Sequence, residues 1–529
     1  MKGYISLVLH THMPYVRKNG VFPVGEDWLY QVMSNTYLPL LGMLAQLEHE
    51  GLSSCLSITL TPILCEQLSD PYVQERFIAY LRTMSKRASS DINDFEHLGD
   101  DRRKELAEAY QVDYQRKLAA FTSIDGDLLG AISSFERLGL VETVASSATH
   151  AFLQGLADWR SVEAQVLLGI ESHRRYLGVN PAGFWIPELA YRKGLENILE
   201  AEGLRYVLID PSGLQGLPPT YPYYAGNTSV AAIARSDRAH DIAWDAGMGY
   251  PTDGNYMDST KYYQSSGLHY WKVTGLDVPI EEKDIYDPDA AIRRALDHGS
   301  HFIGEVEREI EESVPCPPPP PGAPPPGAGE RKRRAVGALR PLPMVLASYD
   351  TEFLGHGWHE GIYWLEVTLR SLAASKNIKA TVPSRYLDGN QPAGSVSVAE
   401  TTWTAQRDDS TWVNPETQWM WDELGKAQEK FFELAPRFRD DVSPETSRAL
   451  TQAAREILIL EASDWPFMVA RDRAKEYATQ RFKSHLERFW SVSTVLESGE
   501  ADKIVALLQE IEEVDKIFTG FDLDCYWPE

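Results

Sequence analysis

Two carboxylates with aromatic neighbours are the strongest candidates for acid–base chemistry in this chain. Glu188 follows the apolar run Phe184–Ile186 after a single proline, and Asp350 follows Met344–Ala347. Asp350 is close to the end of its apolar run, which favours it as an acid/base group. A glutamate at a helix N-terminus, stabilised by the helix dipole, is the alternative interpretation of Glu188.

His10 and His12 form a second candidate group after the apolar run Tyr4–Leu9. Alternate residues of an extended chain point the same way, so both rings would face one site. Three interpretations stay open: contact with sugar hydroxyls, a structural role at the rim of the fold, or binding of a divalent metal. A metal would need further ligands at matching strand ends, and the sequence has no second His/Asp cluster at short spacing.

The segment Ser463–Phe467 interrupts a region that otherwise has helical periodicity. Its sequence Ser-Asp-Trp-Pro-Phe combines a carboxylate with a helix-breaking proline. Either a helix ends here, or Asp464 is directed at a site.

The elements that position these residues are short apolar runs separated by amphipathic stretches, which predicts a parallel sheet with helical crossovers. Reactive side chains follow five of the runs in order, as in a β/α barrel, whose active site lies at the C-terminal ends of its strands. They are His10 and His12, His150, Glu188, Asp210 and Asp350. The seven runs are Tyr4–Leu9, Cys55–Leu60, Val141–Ala145, Gly183–Ile186, Tyr206–Ile209, Val230–Ile233 and Met344–Ala347.

The periodicity divides the chain into two predicted domains. Residues 1–383 form the barrel, with a helical insertion at about 71–138 and a proline-rich surface loop at 315–329. Residues 384–529 are predicted to form a helical C-terminal domain, because their apolar residues recur at helical spacing.

Composition excludes several function classes. The formal net charge is −26, from 51 basic and 77 acidic residues, so nucleic acid and anionic membranes are unfavourable partners. The four cysteines lack metal or redox spacing, and the first apolar run is too short for a signal peptide or membrane span. We therefore expect a cytoplasmic protein.

Taken together, these segments resemble glycoside hydrolase family 57, and within it the α-1,4-glucan branching enzymes, over nearly the whole length. Their order and spacing both match the family. The matching stretches are Leu9–Val16, Ala148–His150, Phe184–Tyr191, Gly267–Trp271, Tyr349–Gly361 and Ser463–Phe467.

The resemblance implies a distorted seven-stranded β/α barrel with a helical insertion, followed by an all-helical C-terminal domain that contributes to the cleft. It implies an α-glucan substrate, no cofactor and no metal. We expect a monomer or a small homo-oligomer.

The resemblance also assigns roles to individual residues. Glu188 would be the nucleophile and Asp350 the acid/base of a retaining double displacement. The remaining matched residues would contact the sugar. They are His10, His12, His150 and Asp464 as polar contacts, and Trp271, Trp403, Trp412 and Trp28 as aromatic walls.

The chemistry sets two requirements on such a pair. In retaining enzymes the two carboxyl groups are about 5–5.5 Å apart. One must be ionised and the other protonated near neutral pH, so their surroundings must separate their pKa values. We predict that Asp350 has the raised pKa.

Branching additionally requires that a sugar hydroxyl reach the glucosyl-enzyme before water does. The segment Tyr221–Tyr224 is the candidate for the tyrosine-bearing loop that covers the intermediate. Three departures from the family pattern bear on transfer. Gly357 stands where a tryptophan is usual, which would widen a subsite, and Trp403–Arg407 replaces a Trp-Gly-x-Gly-Gly stretch. The proline-rich tract at 315–329 is also unusual for the family.

Other functions remain open at this stage. An α-amylase or a 4-α-glucanotransferase of the same family would use the same carboxylates. A metal-dependent carbohydrate deacetylase is suggested by His10 and His12, and a non-catalytic glucan-binding protein is the last alternative.

Overall fold

The computed structural model describes residues 1–53, 56–245, 247–313, 341–438, 443–520 and 522–527. The proline-rich segment predicted at 315–329 lies outside the described residues. Within the described part of the chain, no helix is both long and apolar enough to cross a lipid bilayer.

A ten-stranded sheet forms the centre of the molecule, and seven of its strands run parallel in the order β7-β5-β4-β3-β2-β1-β8. These seven correspond to the seven predicted apolar runs. The strands are β1 (Gly3–Thr11), β2 (Leu56–Leu60), β3 (Val141–Ser146), β4 (Gly183–Trp185), β5 (Tyr206–Ile209), β6 (Tyr223–Ala225), β7 (Ala231–Ala234), β8 (Met344–Asp350), β9 (Ile378–Ala380) and β10 (Ser395–Val396).

The two outer strands of the parallel set approach each other and give the sheet the form of a distorted barrel. The backbone N–H of Ser236, just after β7, donates to the carbonyl of Leu346 in β8 at 2.7 Å. The strands are almost entirely buried, as expected for a parallel sheet covered on both faces. The predicted seven-stranded β/α barrel is therefore confirmed.

The register of the strands places two candidate residues, His10 and Asp350, at the same level of the sheet. His10 is the pairing partner of Thr59 on one side and of Asp350 on the other. All three lie at the C-terminal ends of their strands, where a barrel carries its site.

Helices surround the barrel and continue beyond it. The helical insertion is built from α4, α5 and α6. Helix α4 begins at Pro71, where the Asp70 side chain caps it, and ends at Leu98. The next residue, Gly99, adopts the left-handed conformation that terminates the helix. The barrel helices are α1 (Glu26–Val32), α2 (Leu38–His49), α3 (Pro62–Leu68), α4 (Pro71–Leu98), α5 (Asp101–Ser123), α6 (Leu128–Arg137), α7 (Trp159–Leu177), α8 (Leu195–Ala201), α9 (Asp237–Trp244), α10 (Pro288–Glu312), α11 (Gly361–Ala374) and α12 (Pro383–Gly389).

The C-terminal region is helical, as predicted. Its helices are α13 (Gln418–Phe438), α14 (Pro444–Leu460), α15 (Asp464–Ala470), α16 (Lys475–Ser498) and α17 (Ala501–Val514). Buried polar contacts join it to the barrel: Gln165 of α7 donates to Glu461 at 2.7 Å, and the Thr149 hydroxyl donates to the carbonyl of Leu458. Residues 384–417 differ from the prediction, since they include strand β10, which pairs with β6.

The prediction of a covering loop at Tyr221–Tyr224 is wrong. Tyr223 and Tyr224 belong to β6, which pairs with both β7 and β10, and Tyr221 and Tyr223 are buried. The adjacent Thr220 accepts a hydrogen bond from the backbone of Met344, the first residue of β8. This segment therefore lies towards the end of the barrel opposite Asp350, where it is fixed by strand pairing.

Candidate active site

Glu188 lies in a tight turn directly after β4 and has a left-handed backbone, with φ of 61°. This conformation is unfavourable for a residue with a side chain and persists only where its surroundings hold it. Two donors hold the carboxylate: the Trp403 indole N–H at 2.9 Å and the Ser463 hydroxyl at 2.9 Å. The turn therefore presents one buried carboxylate to groups from two distant parts of the chain.

Asp350 is the last residue of β8 and remains partly accessible. Its strand is held from outside the site, since the buried Tyr349 hydroxyl donates to the carbonyl of Ala239. Asp350 and Glu188 are close enough for the charge of one to affect the other. The sheet thus brings the two predicted carboxylates together.

Burial raises the pKa of both carboxyl groups. It raises the pKa of Glu188 to about 8, opposed by the Ser463 hydrogen bond and reinforced by the negative charge of Asp350. It raises the pKa of Asp350 to about 7, opposed by the charges of His12 and Arg235. The sequence predicted a raised value for Asp350 alone, because the burial of Glu188 cannot be read from its neighbours in the chain.

The two carboxyls titrate near each other, so the singly protonated pair has two forms, which differ in the carboxyl that holds the proton. Glu188 accepts from both Trp403 and Ser463, and such donors favour a carboxylate's charged form. These two donors therefore stabilise the form of the singly protonated pair in which Glu188 is ionised and Asp350 holds the proton, although the pKa of Glu188 stays the higher of the two.

Three predicted histidines form a stack on the floor of the site. The His12 and His150 rings are 3.9 Å apart, and His10 stacks on Trp185 at 4.5 Å. The Nε2 atoms of His10 and His150 are hydrogen-bonded at 2.9 Å. Burial lowers the pKa of both His10 and His150 well below the usual range, so this pair is neutral, with one ring donating and the other accepting.

Asp464 joins this group from the first turn of α15. Its carboxylate contacts Nε2 of His12 at 3.1 Å. His12, His150 and Asp464 therefore converge as three groups that could in principle ligate a metal. Their ring nitrogens already have partners, however: His12 also contacts Thr61, and His150 contacts Ser463. A metal would have to displace these hydrogen bonds, so the geometry fits a hydrogen-bonding floor better than a metal centre.

The predicted tryptophans have different positions. Trp403 contacts Glu188 directly. Trp412 is fully buried, stacked 4.6 Å from Phe152 with Phe467 nearby, so the prediction that it forms a wall of the cleft is wrong. A ring packed against protein on all sides offers no face to a sugar.

Trp271 and Trp28 are half-buried and pack against the core cluster that includes the helical insertion. Trp271 lies under the cations of Lys261 and Arg103. Their contact with substrate stays a prediction.

Sequence reasoning missed several groups that complete the site. Trp185 was read only as part of a buried strand, yet it supports the His10 ring. Thr59 and Thr61 orient His10 and His12 through their hydroxyls at 2.7 and 2.9 Å. Their alternation at the end of β2, which mirrors that of the two histidines at the end of β1, was the available signal.

A β/α barrel with two neighbouring carboxyl groups above a floor of histidines at its C-terminal end is typical of carbohydrate-active enzymes of the glycoside hydrolase type. Comparison with known proteins gives the family. Residues 6–267 match glycosyl hydrolase family 57, and residues 423–526 match the C-terminal region of 1,4-alpha-glucan branching enzymes. The chain belongs to glycoside hydrolase family 57.

Individual relatives extend this similarity over the full length. A 1,4-alpha-glucan branching enzyme of Thermococcus kodakarensis is 34% identical, over 98% of this chain and 78% of its own length. The crystal structure of the family 57 branching enzyme from Pyrococcus horikoshii is 33% identical, with a TM-score of 0.88 and coverage of 99% and 97% of the two chains. An α-amylase from Thermotoga maritima shares the fold at 24% identity, with a TM-score of 0.85 over the whole of both chains.

Proposed function

We propose that this protein is a 1,4-α-glucan branching enzyme that works by retaining double displacement. The observation that carries the proposal is the buried Glu188, held by Trp403 and Ser463 beside Asp350. Near-full-length similarity to branching enzymes supports the choice of reaction.

In the first step the Glu188 carboxylate attacks the anomeric carbon of an α-1,4-linked glucose. The bond between the anomeric carbon and the glycosidic oxygen breaks, and Asp350 gives its proton to that oxygen. The part of the glucan attached through that oxygen therefore leaves with a free hydroxyl group. Asp350 is then a carboxylate, and the donor segment is an ester of Glu188.

In the second step Asp350 accepts the proton of a glucose 6-hydroxyl as that oxygen attacks the anomeric carbon. The ester bond to Glu188 breaks and both carboxyls return to their starting states. Two inversions give net retention. Neutral His10 and His150, with the Asp464–His12 pair, would orient sugar hydroxyls without adding a competing positive charge.

The test is incubation with amylose, followed by enzymatic debranching and chain-length analysis, with reducing ends counted in parallel. We expect new α-1,6 branches with few new reducing ends. Reducing ends that rise without branches would make the protein an amylase-type hydrolase. Linear chains redistributed in length would make it a 4-α-glucanotransferase.

The matched control is Glu188→Gln, which preserves shape and removes the nucleophile. We expect it to abolish all three products. Unchanged turnover in this variant would contradict the assignment of Glu188. A role in glycogen-type polysaccharide synthesis, a cytoplasmic location and a monomeric or small homo-oligomeric state stay predictions from sequence.

A further inference from the structure

Arg407 has an unusual backbone conformation next to the site. Its φ of 60° places it in the left-handed region that favours glycine. The turn is closed by a hydrogen bond from its N–H to the carbonyl of Thr404 at 3.0 Å, and its own carbonyl accepts from the Thr401 hydroxyl at 3.2 Å. A side chain at this position carries a conformational cost, so its contacts must offset that cost.

The Arg407 guanidinium reaches two carboxylates on the barrel. One terminal nitrogen donates to Asp210, the fully buried residue after β5, and the other donates to Asp237 of α9 at 2.8 Å. Arginine's planar fork suits such a bridge, because it presents donors in fixed directions. Arg407 thereby ties the segment Thr401–Thr411 to the ends of two barrel strands.

Arg235 completes a square of alternating charges. Its guanidinium lies 3.4 Å from Asp210 and 3.5 Å from Asp237, so each aspartate is shared by the two arginines. Arg235 is itself buried, and it donates to the Trp403 carbonyl at 3.3 Å. The square therefore holds Trp403 in two ways: Arg235 binds its carbonyl, and Arg407 fixes the segment to which it belongs.

Trp403 is the residue through which this arrangement reaches the chemistry. Its indole N–H donates to the Glu188 carboxylate at 2.9 Å, and its backbone N–H donates to the Glu188 carbonyl at 3.1 Å. Only three residues separate Trp403 from Arg407. The position of the indole thus depends on where the 401–411 segment is fastened.

We propose that Arg407 is a positioning residue, which fastens the Thr401–Thr411 segment to Asp210 and Asp237 so that Trp403 holds the Glu188 carboxylate in its attacking orientation. The inference rests on the proposed role of Glu188 as nucleophile. It extends the working site to a side chain that acts through Trp403.

The central experiment is Arg407→Gly, because glycine accepts the left-handed turn and removes only the bridge. Donor cleavage on amylose is measured as the sum of new branches and new reducing ends. That sum counts both branching and hydrolysis, and the chain-length profile of the same sample detects transfer between linear chains, so the measurement stays informative whichever reaction dominates. We expect kcat to fall about tenfold to hundredfold with KM within about threefold, since misplacing a reacting group costs rate more than binding.

Arg102→Ala is the matched control. Arg102 also lies between two carboxylates, Glu105 and Asp287, but on an exposed surface of the insertion. We expect its kcat to stay within about twofold of the parent. Arg407→Lys keeps the charge but not the fork, so it should recover only part of the loss. Full recovery with lysine, or an unchanged kcat in Arg407→Gly, would overturn the proposal.

Asp237→Ala tests the same bridge if Arg407→Gly folds poorly, because the Asp237 side chain is 43% exposed and lies in the first turn of α9. We expect kcat to fall about threefold to tenfold. No change in this variant would count against the bridge.

A double-mutant cycle with Trp403→Phe separates positioning from a general structural effect. If Arg407 acts through the indole, the Arg407→Gly loss should shrink to within about threefold once the indole N–H is gone. Full additivity of the two losses would show that Arg407 acts by another route and would refute the inference.

Discussion

Trp403 donates two hydrogen bonds to Glu188, one from its indole N–H to the carboxylate at 2.9 Å and one from its backbone N–H to the carbonyl at 3.1 Å. The two residues are 215 positions apart in the chain. The contact therefore fixes both the side chain and the strained backbone of the proposed nucleophile. It also means that a residue expected to stack on sugar acts directly on a carboxylate.

Trp403→Phe should reduce kcat/KM about tenfold to hundredfold, because a hydrogen bond to a charged group is worth about 1.5–3 kcal/mol. Losing the donor destabilises the Glu188 anion and raises the pKa of that carboxyl further. The acid limb of the kcat/KM profile should therefore move to higher pH. Trp490→Phe, on an exposed part of α16, is the control. A lower rate with an unmoved acid limb would contradict this role.

Glu188→Gln should change how stability depends on pH. The folded-state pKa of Glu188, about 8, lies above its unfolded value near 4.5, so the native state binds the extra proton between these limits. The wild type therefore loses stability as pH rises from about 5 to 8. The variant lacks this loss. Its free energy of unfolding, relative to that of the wild type, should therefore rise by on the order of a few kcal/mol between pH 5 and pH 8.

Denaturant unfolding of Glu188→Gln and the wild type at pH 5 and pH 8 measures this difference. Glu497→Gln, which removes an exposed carboxylate, should show no comparable gain. A stability difference that stays constant between the two pH values would show that the carboxyl is not held in a desolvated site.

Trp412→Ala should reduce stability and leave substrate affinity nearly unchanged. Removing a fully buried indole beside Phe152 leaves a cavity, which costs about 3–5 kcal/mol for a large aromatic residue. Unfolding measurements should show this loss, whereas KM measured below the unfolding transition should stay within about threefold. A large rise in KM with unchanged stability would restore the predicted role as a wall of the cleft.

Chelation should leave turnover unchanged. The ring nitrogens of His12 and His150 are occupied by Thr61, Asp464, Ser463 and His10, an arrangement that is complete with hydrogen bonds alone. Activity assayed after dialysis against a chelator, with elemental analysis of the same sample, checks this. Activity that is lost and then restored by a stoichiometric divalent ion would favour the deacetylase alternative.

The barrel could be predicted because parallel strands leave a local signal. Each strand contains a short apolar run, and a reactive residue follows that run within a few positions, as with His10 near the end of β1 and Glu188 after β4. Tyr221–Tyr224 was misassigned because the family resemblance placed a tyrosine-bearing loop in this region, whereas pairing with β7 and β10 places Tyr223 and Tyr224 in a strand.

The remainder of the site depends on long-range packing that no local pattern records. Ser463 and Trp403 reach Glu188 from 275 and 215 residues away, and Trp412 is buried by Phe152 from another part of the chain. Arg407 could be recognised only as a departure from glycine, because its partners Asp210 and Asp237 are defined by the folded barrel.

The donors on Glu188 also set an order of events during protein synthesis. The proposed nucleophile, Glu188, is synthesised before the hydroxyl that holds one of its oxygens, because that hydroxyl belongs to Ser463, after α14 in the helical region. A ribosome-bound chain can complete the sheet while still lacking that donor. We therefore expect the turn at Glu188 to reach its final geometry only after the segment that carries Ser463 has been synthesised and has packed against the barrel.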